Sequence, residues 1–135
     1  MGSDKIWLFD TTLRDGGQTR GVDFSRADKV AIAHALDDIG IDYIEAGWPG
    51  ANPTDDAFFA KPPKMKNAKL VSFGMTRRGG RSTANDPGLS AVIDAAVDAS
   101  CLVGKTWDFH VKTALNTTLD ENLEMIRQSL SAAAD

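Results

Sequence analysis

The sequence predicts an α/β fold in which four short parallel strands alternate with four helices. Four apolar runs of strand length recur along the chain, and each is followed by a segment with apolar residues at helical spacing. A strand and its helix together take roughly 30 residues, which is the length of one parallel βα unit. This alternation implies a parallel sheet with right-handed crossover connections.

The predicted strands are the runs in which apolar residues are nearly continuous. The first of them, "KIWLFDTTL", is typical of a strand that is covered on both faces of a sheet. Glycine, proline or charged residues follow each run and mark its end. The predicted strands cover residues 5–13, 42–48, 69–75 and 100–107.

The first predicted helix lies in "SRADKVAIAHALDDIG". Ser25 is a favourable N-cap residue and Gly40 a favourable end, because glycine adopts the backbone conformation that terminates helices. Its expected buried stripe consists of Val30, Ala33 and Leu36, with Ile32 and Ile39 beside it.

Three further helices are predicted after the later strands. The second is short, residues 55–60, and is stopped by Pro62 and Pro63, which cannot continue a helix. The third covers residues 89–99. The fourth covers residues 118–134, where Thr118 and Glu121 have the spacing of a capping box.

The amino-acid composition argues against several classes of protein. A chain of 135 residues with 42% hydrophobic and 25% charged residues is ordinary for one globular domain. The net charge of −4 argues against a nucleic-acid binder, which usually has a basic balance. Cys101 is the only cysteine, which excludes an internal disulfide and a cysteine-rich metal site. We expect it to be a buried strand residue rather than a nucleophile, because no histidine partner is evident in the sequence. No apolar run reaches the roughly 20 residues of a membrane span, and we expect a cytoplasmic protein without a membrane partner.

The charged and glycine-rich residues follow the predicted strands directly. The four stretches are "DTTLRDGGQ", "EAGWPG", "GMTRRGG" and "GKTWDFH". In parallel α/β folds, the loops at the carboxyl ends of the strands converge and bind ligands. The sequence therefore predicts a ligand site at this edge of the sheet.

Several of these motifs carry a family resemblance. "DTTLRDGGQ" with "GVDFS" behind it, followed by "DKVAIAHALDDIGIDYIEAGWPGANPTDDAFF", resembles the start of the citramalate, isopropylmalate and homocitrate synthases. "YIEAGWPGANPTD" and "FGMTRR" are most similar to the citramalate-forming branch. The family belongs to the metal-dependent TIM barrels that carry out Claisen condensations and lyase reactions. Four units of the eight in such a barrel imply that residues 1–135 form the amino-terminal half of a TIM-barrel synthase domain.

The resemblance implies an acyltransferase reaction. In it, acetyl-CoA condenses with a 2-keto acid held at a divalent metal (Mg, Mn or Zn), and pyruvate is the best match. By resemblance, Asp15 is a metal ligand, Arg14 stabilises developing negative charge, and Gln18 and Glu45 contact the keto acid. The residue types suit these tasks, because carboxylates are hard oxygen ligands and an arginine cannot lose its proton.

Two more residues are candidates for substrate binding. Arg77 stands where the family has an arginine after its third strand, and His110 follows the fourth strand. For the Arg77 segment, "TRRGGR", the alternatives are a phosphate or CoA clamp and an RGG-like nucleic-acid element. For His110 the alternative is a histidine that caps a helix start. For Glu45 the alternative is a structural ion pair, since a lone buried carboxylate is costly.

The residues present do not complete the site that the resemblance implies. The family's other metal ligands lie in a His-x-His pair, whereas His34 and His110 are the only histidines here. We therefore expect the chain alone to be inactive. Two alternatives are a non-catalytic half-barrel for assembly or binding, and a lyase of the same superfamily. A half-barrel exposes its sheet edges, so self-association or domain swapping is also expected.

Overall fold

The computed structural model describes residues 4–134 as four parallel strands with helices between them. The strands are β1 (Phe9–Asp10), β2 (Tyr43–Gly47), β3 (Lys69–Met75) and β4 (Ala99–Val103), and they lie in the sheet in that order. The helices are α1 (Arg26–Asp38), α2 (Pro53–Ala60), α3 (Pro87–Ile93), α4 (Asp108–Thr113) and α5 (Leu119–Ala134). All three strand pairings are parallel, which confirms the predicted α/β class.

The first strand is much shorter than residues 5–13. β1 pairs only through Phe9 with Tyr43 and Asp10 with Ile44. β1 is an edge of the four-stranded sheet, so it has a neighbour on one side alone. Ile6 and Trp7, predicted to be covered, are 79% and 53% exposed, although the Trp7 ring still contacts the ring of Tyr43 and the Lys5 ammonium.

The buried face of α1 differs from the predicted stripe. Ser25 caps the helix as predicted and forms a capping box with Asp28. The fully buried residues of α1 are Lys29, Ala33 and Asp37, and Ile39 is 75% exposed. The prediction is confirmed for Ala33, and for Val30, Ile32 and Leu36, which pack against the core. It was wrong for Ile39, and it missed Lys29 and Asp37, because it counted only apolar residues, whereas these two are buried with hydrogen-bond partners.

The fourth unit also differs from its prediction. The third helix ends at Ile93, and β4 ends at Val103. Residues 104–107, predicted as the end of the strand, form the loop before α4. Residues 96–98 are not helical, because Asp98 is bonded to β3. The Asp98 N–H donates to the carbonyl of Leu70, and the Asp98 carboxylate accepts from the N–H of Leu70 at 2.9 Å.

The sheet has one face covered by helices and one face that carries polar groups. Ile44 and Ala46 are fully buried in the core beneath the helices. Ser72 also faces the helices, since its hydroxyl donates to the carbonyl of Val92 in α3. Because side chains alternate along a strand, Glu45 and Phe73 point to the opposite face.

The N-cap of α1 gives a first test of this fold. We expect Ser25→Ala to lower the free energy of unfolding by about 1 kcal/mol, because the Asp28 N–H loses the hydroxyl that it donates to. Urea denaturation followed by circular dichroism measures this. Ser82→Ala is the matched control, since Ser82 precedes a short 3₁₀ turn without a side-chain cap bond. Equal losses in the two variants would contradict the assignment.

A search of residues 4–134 for a helix long and apolar enough to cross a membrane finds none.

Candidate functional site

Arg14 and Glu45 form an ion pair at the carboxyl end of the strands. The Arg14 Nε donates to Glu45 Oε2 at 2.7 Å, and the Glu45 side chain is 2% exposed. Arg14 lies in the loop after β1, beside Leu13, which is anchored in the core and 1% exposed. Glu45 lies in the middle of β2. Two neighbouring strands therefore bring together the two residues that sequence motifs place 31 positions apart.

The guanidinium of Arg14 is held on two further sides. Its NH1 donates to Asp15 Oδ1 at 3.1 Å. Its Cζ lies 4.0 Å from the centre of the Phe73 ring, which is the geometry of a cation–π contact. These contacts fix a permanent positive charge in a largely buried position, where the local dielectric is low and an anion is attracted more strongly than in water.

Asp15 and Gln18 flank a short 3₁₀ turn, Gly16–Gln18, in the same loop. The Asp15 side chain is 67% exposed, so one carboxylate oxygen is accessible beside Arg14. Gln18 and Arg14 line a cavity of about 140 Å³ together with residues of the β2–α2 loop, including Asn52. The structure thus brings together Arg14, Asp15, Gln18 and Glu45, as the sequence predicted; their roles stay predictions.

Arg77 is placed differently from these four residues. It is 4% exposed, and its Nε donates to Gln128 at 2.7 Å while its NH1 donates to Glu121 at 2.8 Å. The Glu121 N–H donates to the Thr118 hydroxyl, which confirms one half of the predicted capping box. The Glu121 carboxylate binds Arg77 instead of making the second bond of the box. The Arg77 guanidinium therefore joins the loop after β3 to α5.

A larger cavity adjoins Arg77. Its volume is about 610 Å³, and its wall includes Met75, Leu89 and Met125 as well as the loop glycines 79 and 80. Arg77 lines this cavity rather than the one that Arg14 lines. Trp48 lines both cavities, so the two adjoin. The contact of Arg77 with the keto acid stays a prediction.

His110 lies within α4 and is exposed. Its ring packs edge-on against Trp107, with the ring centres 4.6 Å apart. It lines neither of the two cavities found in the described part of the chain. The structural alternative, a histidine that caps the helix start, is wrong, because Trp107 is the N-cap of α4 and no side chain makes a cap bond there. The substrate contact of His110 stays a prediction.

Sequence reasoning missed a buried ion pair behind the site. Lys29 of α1 contacts Asp55 of α2, and both residues line the cavity of Arg14 and Gln18. The signal was present in the sequence: Lys29, Ala33 and Asp37 recur at every fourth position, which places them on one helix face.

Cys101 lies on the same face of the sheet as Glu45. It pairs in register with Phe73, the residue beneath Arg14, and is partly buried. Burial raises the pKa of the Cys101 thiol, and the nearby Glu45 carboxylate raises this pKa further. The thiol therefore lacks the lowered pKa of a nucleophilic cysteine, as the sequence predicted.

This raised pKa predicts slow alkylation. At pH 8, we expect Cys101 to react with iodoacetamide several-fold more slowly than a free thiol, because the thiolate is the reactive form. Glu45→Gln should increase the rate, since it removes a carboxylate that disfavours the thiolate. Mass spectrometry of timed samples measures both rates. A slower reaction in the Glu45→Gln variant would contradict the proximity of the two groups.

The residues described do not by themselves form a metal site. Within residues 4–134, no group of three or more His, Cys, Asp and Glu side chains is arranged to hold a metal ion. Asp15 supplies one accessible carboxylate, whereas protein sites for catalytic divalent ions generally use three or more ligands. A metal held by Asp15 would need donors beyond the described residues.

The strand order, the rim position of the ionic groups and the Arg14–Glu45 pair together define a parallel βα protein with a candidate site at the carboxyl ends of its strands. The HMGL-like family matches residues 5–135, and the chain belongs to this family.

Curated relatives place the chain more narrowly. The (R)-citramalate synthase of Aquifex aeolicus is 52% identical over 130 residues, which cover 95% of this chain and 25% of that protein. The (R)-citramalate synthase of Geobacter sulfurreducens is 52% identical over 127 residues, covering 93% and 24%. A homocitrate synthase of Methanopyrus kandleri is 35% identical over 133 residues, covering 98% and 32%. The predicted resemblance is confirmed, and the chain spans about a quarter of the length of the citramalate synthases that it matches.

Solved structures confirm the fold. The HMG-CoA lyase of Bacillus subtilis superposes with a TM-score of 0.70 at 18% identity, covering 96% of this chain and 43% of that one. The hydroxymethylglutaryl-CoA lyase of Pseudomonas aeruginosa gives 0.72 at 20% identity, covering 96% and 42%. The likeness extends over slightly less than half of each lyase, in agreement with four of the eight βα units of a TIM barrel.

Proposed function

We propose that this chain carries the keto-acid end of the active site of an acetyl-CoA-dependent condensing synthase, with pyruvate as the keto acid and citramalate as the product. The observation that carries the proposal is the fixed Arg14 guanidinium at the strand ends, in a chain 52% identical to citramalate synthases. Residues 1–135 would then be the amino-terminal half of the barrel domain, which the partial coverage of the lyase structures supports.

Each side chain has a task that follows from its chemistry. A base, for which we assign no residue, removes a proton from the acetyl methyl group of acetyl-CoA. Attack of the resulting enolate on the keto carbon forms a carbon–carbon bond and leaves negative charge on the former carbonyl oxygen. Arg14 stabilises that charge, because its guanidinium is positive at any working pH and is already oriented. Hydrolysis of the thioester then releases the CoA thiol and makes the overall reaction irreversible.

Glu45 and Gln18 act beside Arg14. The Glu45 carboxylate accepts from Nε and the Asp15 carboxylate accepts from NH1, so together they fix the plane of the guanidinium. The anion is proposed to bind at NH2. The amide of Gln18, at the rim of the same cavity, offers N–H donors to the carboxylate of a keto acid. For Asp15 we propose one bond to a divalent metal, whose chemistry would be to polarise the keto carbonyl. Arg77 and His110 are kept as secondary candidates for substrate contact.

We also propose the binding partners of this chain. The small-molecule partners are the keto acid and acetyl-CoA, in the cytoplasm. The 135-residue chain by itself is proposed to be inactive and to self-associate, because Ile6, Trp7, Leu8 and Phe9 expose about half or more of their surface beside the β1 edge.

The experiment measures release of the CoA thiol by the complete gene product that contains this chain. Acetyl-CoA is supplied with pyruvate, with 2-oxobutyrate or with 2-oxoisovalerate, and the thiol is detected with a chromogenic disulfide. We expect thiol release to depend on the keto acid and to be fastest with pyruvate. A higher rate with the branched keto acid would reassign the substrate, and no release with any keto acid would overturn the proposal.

A further inference from the structure

A buried ion pair lies directly behind Glu45. The Nζ of Lys29 contacts the carboxylate of Asp55, and these residues are 5% and 6% exposed. Lys29 also donates to the carbonyl of Ala46 at 2.9 Å, and Asp55 also accepts from the side-chain amide of Asn52 at 3.0 Å. Removing two charges from water is costly, so such a pair persists where further hydrogen bonds satisfy both partners, as they do here.

The ion pair holds the backbone on both sides of Gly47. Lys29 binds the carbonyl of Ala46, and the Asp55 Oδ2 accepts from the N–H of Trp48 at 2.9 Å. Gly47 itself has φ +155°, and a Cβ added to it would lie 2.7 Å from the Asp55 carboxyl carbon. The pair therefore fixes three consecutive residues, of which the middle one has no room for a side chain.

The register of the sheet changes at this point. Glu45 lies opposite Val71, whereas Gly47, two positions later, lies opposite Ser72, only one position later. One residue of β2 is thus unmatched, which is a β-bulge. Bulges redirect the side chains next to them, and here the bulge directly follows the residue that binds Arg14.

We propose that Lys29 and Asp55 are positioning residues that hold the bulge after Glu45 and thereby fix the Arg14–Glu45 pair. The inference rests on the proposed function for the task of that pair. Lys29 and Asp55 act through Glu45 and are assigned no contact with reacting atoms. Without their contacts, the backbone at Gly47 is free to recover the regular register, which would move Glu45 relative to Arg14.

The Arg14 Nε–H signal reports on this pair without any turnover. In ¹⁵N-labelled protein, the signal is assigned by its loss in Arg14→Lys, and its bond to Glu45 by its change in Glu45→Gln. Exchange of this proton with water is slow while Nε–H is bonded to a buried carboxylate. We expect Lys29→Met to speed the exchange at least tenfold. We expect Lys29→Arg to keep the slow exchange of the wild type, because an arginine can still donate to both Asp55 and the Ala46 carbonyl.

The matched control is a second ion pair of α1. Lys66 binds Asp38 at 2.6 Å, but both side chains are more than half exposed, so Lys66→Met removes a lysine without touching β2. We expect wild-type exchange in this variant. Asp55→Asn is the second test variant, since an asparagine can still accept from Trp48 N–H while it removes the charge; we expect faster exchange here too.

Each outcome decides the proposal. Unchanged Arg14 exchange in Lys29→Met and Asp55→Asn, or equal acceleration in Lys66→Met, overturns it. So does a wild-type protein without a Glu45-sensitive Arg14 signal. Loss of the circular dichroism of the helices in both Lys29→Met and Asp55→Asn also overturns it, because the pair would then support the whole fold rather than this position. Failure of the proposed function is seen separately, as absent keto-acid-dependent thiol release with the Arg14 signal intact.

Discussion

Replacing Arg14 with alanine is expected to lower the kcat of keto-acid-dependent thiol release by about 10²- to 10³-fold. This is the usual cost of removing one preoriented group that stabilises charge developing in a transition state. The Arg14 guanidinium is preoriented by Glu45, Asp15 and Phe73, so water that enters in its place cannot reproduce a fixed charge. Steady-state kinetics of the complete gene product with pyruvate measures the change.

Two further variants make this result specific. Arg14→Lys keeps the charge but loses the planar group that donates to Glu45 and Asp15 together, so we expect it to recover little of the activity. Arg20→Ala is the matched control, because Arg20 is exposed and lies in the same loop. Wild-type kcat in Arg14→Ala would remove Arg14 from the mechanism.

The largest expected effect on stability comes from Asp37 at the end of α1. Its carboxylate accepts from the backbone N–H groups of Lys66, Asn67 and Ala68 at 2.5–2.9 Å, and its side chain is 2% exposed. We expect Asp37→Ala to lower the free energy of unfolding by about 3 kcal/mol, because buried donors are left without an acceptor. Asp38→Ala, at the exposed neighbouring position, should change it by less than about 0.5 kcal/mol. Urea denaturation at pH 7 compares the two, and equal losses would contradict the account.

The stabilisation by Asp37 should depend on pH. Burial raises the pKa of Asp37, but the hydrogen bonds from the three N–H groups outweigh burial and hold the pKa below its ordinary value. The ionised carboxylate is therefore favoured by folding, so its contribution is complete above the ordinary aspartate pKa of about 4 and is lost as the pH falls below it. The stability curves of wild type and Asp37→Ala should converge in acid. Curves that stay parallel down to pH 2 would contradict this.

The sequence was sufficient to predict the parallel βα architecture and the proximity of Arg14 to Glu45, whereas the roles of these residues stay predictions. Periodicity located β2 and β3 to within a residue or two, because their side chains are covered on both faces and read as continuous apolar runs. The motif "TLRDGGQ" placed Arg14, Asp15 and Gln18 at the strand ends, and their common location follows from the parallel topology alone.

The parts that the sequence did not predict depend on contacts between distant residues. The burial of Lys29 is explained only by Asp55, 26 positions away, and polarity alone would place a lysine in water. The length of β1 depends on which neighbour the strand has, which no local pattern records. Arg77 has the residue type and the position of a ligand-binding arginine, but its guanidinium donates to Glu121 and Gln128 of α5. These two partners are more than 40 positions away in the sequence and were not predicted.

A double-mutant cycle on kcat/KM for pyruvate tests whether Arg14, in the loop after β1, and Glu45, in β2, act as one functional unit. Arg14→Ala, Glu45→Gln and the double variant are compared with wild type in the complete gene product. Because the two side chains are bonded at 2.7 Å, we expect the double variant to lose no more activity than the poorer single variant. Losses that multiply would show that Arg14 and Glu45 act independently and would contradict the account.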